Sequence, residues 1–167
     1  MLKRIVGIFL CTLLSACSIN YSLSGASIPD YAKTFSVQFF KNQAQLAPTT
    51  VPQTFTDALR NYIASHSRLS LTTEGDLDFT GSISGYTIAP VTASATAPSQ
   101  SQTTRLTITV DITYTDKKDT KKCFNASFSR YADFASNQNI TAVQDGLITT
   151  IENQLVQDAF DKAFNNW

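Results

Sequence analysis

Apolar and polar positions alternate most regularly in the second half of the chain, where Leu106, Ile108, Val110, Ile112 and Tyr114 interleave with Arg105, Thr107, Thr109, Asp111, Thr113 and Thr115. A period of two over this length predicts a strand with one apolar and one polar face. Upstream, Phe35, Val37 and Phe39 alternate within Thr34 to Phe40 and predict a first strand. Leu77, Phe79, Gly81 and Ile83 predict another, but the apolar parity then switches to Tyr86 and Ile88 across Gly85. A strand can change face only by inserting a residue, so a bulge or sharp twist is expected near Gly85. After a charged turn from Asp116 to Lys122, Phe124, Ala126, Phe128, Ala132 and Phe134 continue on one parity, interrupted by Arg130.

Two stretches carry the helical period instead. Phe55, Ala58, Leu59, Tyr62 and Ile63 follow Pro52, which is tolerated in a first helical turn, and predict a helix opening at Thr50 or Val51. Ile140, Val143, Leu147, Ile148, Ile151, Leu155, Ala159, Phe160, Ala163 and Phe164 predict a longer one, with Trp167 extending the stripe. The order strand, helix, three strands, helix places the chain in the α+β class, with two helices on one face of a four-stranded mixed sheet. Strands two to four should form an antiparallel meander, while strand one, joined through a helical crossover, can run parallel to a neighbour. Pro90 to Thr104 is nearly free of large side chains and predicts a mobile loop.

The first seventeen residues follow neither period. Lys3 and Arg4 precede an apolar run from Ile5 to Leu14, which closes with Leu14-Ser15-Ala16-Cys17. That is the layout of a lipoprotein signal peptide, and a run of about ten residues is half of what a membrane-spanning helix needs. Residues 1–16 are expected to be removed, leaving an acylated Cys17, a lead-in over 17–33 and one domain over 34–167. Several acyl chains make membrane attachment effectively permanent. Ser18 follows the cysteine and no acid precedes Asp30, which favours the periplasmic face of an outer membrane.

Charge narrows the partners. The full chain has 13 basic and 13 acidic residues; loss of Lys3 and Arg4 leaves 11 − 13 = −2. Nucleic acid is not an expected partner, since phosphate binding draws on clustered Lys and Arg. Cys11 leaves with the signal and Cys17 is acylated, so Cys123 is the one remaining thiol; it can pair with a partner chain or stay reduced, and is expected to be buried or partly buried.

Candidate chemistry is sparse. Ser-His-Asp triads, Cys-His pairs and most zinc sites need histidine, and the chain has only His66, placed where a helix end would offer it free carbonyls. Glu74, Asp76 and Asp78 lack the pattern of a calcium loop and read as a solvated strand entrance. Phosphate-loop and dinucleotide patterns are absent, so no cofactor, metal or enzymatic activity is expected. The candidate contact residues are Lys117, Lys118, Lys121 and Lys122, which either solubilise a hairpin tip or grip phosphates of an anionic lipid. Arg105 and Arg130 are weaker additions that can instead pair with an acid such as Asp111.

An ordered series of segments adds to this. The lipobox cysteine is followed by Tyr21-Ser22-Leu23-Ser24-Gly25-Ala26-Ser27-Ile28, Phe35-Ser36-Val37-Gln38-Phe39-Phe40-Lys41-Asn42, Gly75-Asp76-Leu77-Asp78-Phe79-Thr80-Gly81 with Gly85-Tyr86, Arg105-Leu106-Thr107-Ile108 and Asn165-Asn166-Trp167. Together they resemble the LptE-like lipopolysaccharide-assembly lipoproteins, in particular those of the Bacteroidetes type. The resemblance implies two helices against a four-stranded sheet. It also implies a role in plugging and helping to assemble an LptD-type outer-membrane β-barrel and in delivering lipopolysaccharide. The four lysines are the candidate lipopolysaccharide contact. The alternative function is an anchored periplasmic module holding a small apolar or glycan ligand.

Overall fold

In a computed structural model that describes residues 28–91 and 102–165, the alternating segments form strands and the helical-period segments form helices. Strands β1 (Thr34–Val37) and β2 (Lys41–Asn42) are followed by helix α1 (Val51–His66) and strand β3 (Ser70–Leu71). Strands β4 (Leu77–Val91), β5 (Thr103–Asp116) and β6 (Phe124–Ala135) precede helix α2 (Ile140–Phe164). Cys17, Trp167 and residues 92–101 of the Pro90 to Thr104 segment lie outside the described residues. Pro90, Val91, Thr103 and Thr104 are strand rather than loop, because they pair with one another across β4 and β5.

The sheet has six strands, not four, in the order β3-β1-β4-β5-β6, with β2 also paired to β4. The two additional strands, β2 and β3, have two residues each and show no alternation, so their sequence carries no period to read. As the helical crossover implies, β1 runs parallel to β4 and β3, while β4, β5 and β6 form the antiparallel meander. The register shifts between Ile83 and Gly85, which leaves Ser84 as the extra residue of a bulge. Ile83 opposite Val110 and Tyr86 opposite Ile108 thereby share one face despite their opposite parity.

That face is the core. Leu77, Phe79, Ile83, Leu106, Ile108, Val110 and Ile112 are fully buried beneath Phe55, Leu59 and Ile63 of α1 and Ile151, Leu155 and Ala159 of α2. The Phe79 ring packs 5.0 Å from Tyr114 and 6.2 Å from Phe164, centroid to centroid. At Gly81 an added Cβ would lie 2.1 Å from the Asp111 carbonyl oxygen, so this position tolerates no side chain without moving β5. Strand one is shorter than its alternation suggests. It ends at Val37, and Phe40 instead of Phe39 turns inward; Phe39 is 54% exposed. Thr56 on α1 explains the break, because its hydroxyl accepts the Phe40 amide at 3.2 Å and draws that residue under the helix.

The helices meet each other as well as the sheet. Tyr62 and Phe160 make an edge contact at 5.4 Å. Nearby, Glu152 is buried on the α1-facing side of α2, where the apolar stripe gave no sign of it, and Thr54 Oγ1 lies 2.6 Å from its Oε1. Burial pushes this carboxyl up from its ordinary 4.5 to about 7. Among the described residues, no helix is long and apolar enough to cross a membrane.

Candidate functional site

Helices cover one face of the sheet, and the other is left to hydroxyls. Successive rungs across β4, β5 and β6 on the uncovered side are Thr80–Thr113–Asn125, Ser82–Asp111–Ser127, Gly85–Thr109–Ser129 and Thr87–Thr107–Tyr131. Cross-strand contacts are short: Thr109 Oγ1 and Ser129 Oγ are 3.1 Å apart. Toward the end nearer residues 92–101, Arg105 grips Asp133 through two bonds of 2.7 and 2.9 Å. Its guanidinium also lies 3.5 Å from the centroid of the Tyr131 ring, which is 50% exposed. The bond to the Asp133 carboxylate raises the Arg105 pKa further, and the Arg105 guanidinium lowers that of Asp133. The alternation along β5 pointed to this surface, while the Arg105–Tyr131–Asp133 cluster depends on the register with β6 and has no local signal.

Arg130 is the counterpart on the covered side. It stands in the parity of the core face, yet its guanidinium reaches out to Asp158 on α2 with bonds of 2.6 and 2.7 Å. Neither arginine pairs with Asp111, the acid that sequence suggested; each takes a carboxylate that tertiary packing brings closer. Beside Arg130, between β6 and α2, runs a cleft of about 480 Å³ bordered by Ser127, Ser129, Asp158, Asp161 and Lys162.

The four predicted lysines sit together at the opposite end, on the turn from β5 to β6, and all are exposed. Their turn is folded by its acids. Asp116 is buried; its Oδ1 accepts the amides of Lys118 and Asp119, and its Oδ2 accepts the Tyr31 hydroxyl at 2.5 Å. Asp119 Oδ1 accepts the Lys121 amide ahead of a short 3-10 turn, Thr120–Lys122. The hydrogen bond to Asp116, with burial and the negative charge around it, pushes the Tyr31 phenol up to about 12. Cys123 is half-buried, as expected, with its Sγ 3.3 Å from the Asp116 amide. Tyr31 belongs to the lead-in, and nothing in its local sequence marks it as a partner of this turn.

The remaining candidates are structural. His66 ends α1 with its Nδ1 2.9 Å from the Tyr62 carbonyl and its ring stacked on Tyr62 at 4.0 Å, in keeping with the helix-end reading. Asp76 Oδ2 accepts the Lys33 amide, the Thr34 amide and the Thr34 hydroxyl, and Asp78 accepts the Ser36 hydroxyl. These acids therefore latch β1 to β4, and the backbone bond from Lys33, followed by those from Thr34, holds the Asp76 carboxyl below its usual range. Among the described residues, no group of three or more His, Cys, Asp or Glu could hold a metal ion.

A two-helix layer on one side of a mixed sheet, with a hydroxyl-lined second side, defines an α+β protein. Residues 32–164 match the family model LptE, lipopolysaccharide-assembly, and the chain belongs to that family of non-catalytic outer-membrane lipoproteins. The match is to the family at large and singles out no bacterial branch. Among solved structures, the fold is similar to that of a minor lipoprotein from Acinetobacter baumannii, with 12% identity, TM-score 0.51, and coverage of 78% of this chain and 91% of that one. Lipoprotein B from Nitrosomonas europaea is similar at 13% identity and TM-score 0.50, covering 80% and 82%. The hypothetical protein CT253 from Chlamydia trachomatis follows at 9% identity and TM-score 0.54, covering 80% and 99%. No curated protein matches the chain.

Proposed function

We propose that this lipoprotein is the partner of an LptD-type outer-membrane β-barrel, lodging in its lumen, helping it assemble and assisting delivery of lipopolysaccharide. The observation that carries this reading is the uncovered sheet face. Its Thr and Ser rungs present hydroxyls that hydrogen-bond equally well to water and to polar side chains, and the interior wall of a large barrel is polar. Asp111 apart, a face of this kind docks without the desolvation cost of burying unpaired charge. Acylation at Cys17 tethers the domain to the periplasmic side of the membrane and raises its concentration near the barrel. Lys117, Lys118, Lys121 and Lys122 are the proposed contact for lipopolysaccharide phosphates.

The test is affinity isolation of the full chain from solubilised outer membranes. A stoichiometric β-barrel protein is the expected companion; recovery of the chain with no barrel counts decisively against the proposal. No specific observation favours the ligand-holding module, since the cleft between β6 and α2 opens to solvent along a charged rim.

A further inference from the structure

The lysine turn lies at the end of the molecule from which the chain runs back toward Cys17. Ile28, the first described residue, has its carbonyl 3.4 Å from Arg68 Nη2, and Asp30 pairs with the same guanidinium at 2.7 Å. Three residues after Ile28, Tyr31 bonds Asp116 inside the turn, and Lys118 Nζ lies 5.3 Å from the centroid of the Tyr31 ring. The Lys117 amide donates to the Asp76 carbonyl, whose side chain holds the Lys33 amide. Lead-in, strand entrance and lysine turn are thus one tied unit.

Charge at this end is unevenly placed. From Asp116 to Lys122 the turn carries four lysines and two aspartates, a sum of 4 − 2 = +2 on a mature chain whose total is −2. Asp116 and Asp119 point at backbone amides of the turn, while the four lysines are exposed and hold no ion pair among the described residues, Lys118 lying over the Tyr31 ring. Exposed Lys33 and Lys162 flank them, the latter 5.8 Å from the centroid of the Phe124 ring at the start of β6. Other acids nearby are largely engaged: Asp30 by Arg68, Asp76 by three donors and Asp161 by the Asn165 side-chain amide, leaving Glu74 exposed.

Chain length allows this surface to reach a membrane. Ile28 lies eleven residue steps after Cys17 (28 − 17 = 11), which fully extended reach no farther than ~40 Å. We propose that, before the chain enters a barrel, the Lys117–Lys122 turn rests on the phosphate headgroups of the leaflet that holds the Cys17 acyl chains, so that the free domain stands on the membrane by its lysine end. The inference depends on the anchoring proposed above. Lipopolysaccharide offers phosphates of the same chemistry, but the leaflet's glycerophospholipids are held within reach continuously by the anchor. Attraction between lysine and an anionic leaflet decays within a Debye length of about 10 Å, so it reports close apposition.

The experiment uses the full lipidated chain, with acylation at Cys17 verified by mass spectrometry. It is reconstituted in vesicles of phosphatidylcholine alone, phosphatidylcholine with phosphatidylglycerol, or phosphatidylcholine with lipopolysaccharide. An uncharged amine-reactive reagent then reads the modification rate of each lysine by peptide mass spectrometry, with exposed Lys41 on β2 as the internal reference. Relative to Lys41, the four turn lysines should react about fivefold more slowly with phosphatidylglycerol present, and salt of about 0.5 M should abolish the protection. Equal rates with and without phosphatidylglycerol overturn the proposal, as does protection confined to lipopolysaccharide vesicles, which leaves the lipopolysaccharide contact standing. Absence of acyl groups at Cys17 overturns this proposal together with the anchoring. Failure to recover a barrel bears on neither.

Discussion

The two sides of β5 are built from the same strand and do opposite work. Leu106, Ile108, Val110 and Ile112 are fully buried under the helices, and each large apolar side chain so placed contributes roughly 1.5–3 kcal/mol. Their neighbours Thr107, Thr109, Asp111 and Thr113 are half-exposed and bond sideways or to solvent. The difference separates stability from recognition: substitutions on one side should unfold the protein, and those on the other should leave it folded and change what it touches.

The largest effect is expected at the aromatic centre of the covered side. Phe79→Ala should cost about 3–5 kcal/mol in urea unfolding, because Tyr114 and Phe164 cannot both collapse into the space it leaves. A loss below about 1 kcal/mol would show that the helix layer does not depend on this ring.

Next comes Glu152, the charged exception within the covered side. Its folded pKa of about 7 lies above its ordinary 4.5, so the folded state binds the proton more tightly than the unfolded one. Its contribution is complete below pH 4.5 and is lost as pH rises through about 7, with a full span on the order of 3 kcal/mol. Glu152→Gln should flatten that decline between pH 5 and 8 in a stability-against-pH profile. An unchanged slope would mean that another group sets it.

The smallest thermodynamic effect belongs to the uncovered side. Thr109→Arg should cost no more than about 1 kcal/mol in unfolding, since its half-exposed side chain gives up one bond, the 3.1 Å contact with Ser129 Oγ. The same substitution should reduce recovery of the barrel partner in affinity isolation. If it unfolds the chain, or if barrel recovery is unaffected, the contrast between the sides breaks.

Much of the fold was legible because long elements impose their period on the sequence. The alternation of β5, the parity switch at Gly85 and the helical stripes each required a specific backbone geometry, and the structure contains it. Short elements escape this logic. Lys41–Asn42 and Ser70–Leu71 are strands only because β4 and β1 lie beside them. Phe39 and Phe40 exchanged places because of one hydroxyl, that of Thr56, contributed by α1. Of the candidate surface, the lysines were visible as a cluster and the hydroxyl rows as a parity. The Tyr31–Asp116 bond and the Arg105–Tyr131–Asp133 cluster join residues 85 and about 28 positions apart, beyond the range of any local pattern.

Ser84 gives the long β4–β5 hairpin a phase shifter. Leu77–Ile83 on one side of it and Gly85–Val91 on the other are two ribbons out of step by one residue, brought back into step by that single insertion. Past Tyr86 the β4 strand is less covered, with Ile88 and Val91 both exposed, while Leu106 opposite Ile88 stays buried. Removing Ser84 would therefore turn the apolar side chains of one half of β4 to the wrong face, whichever half kept its place.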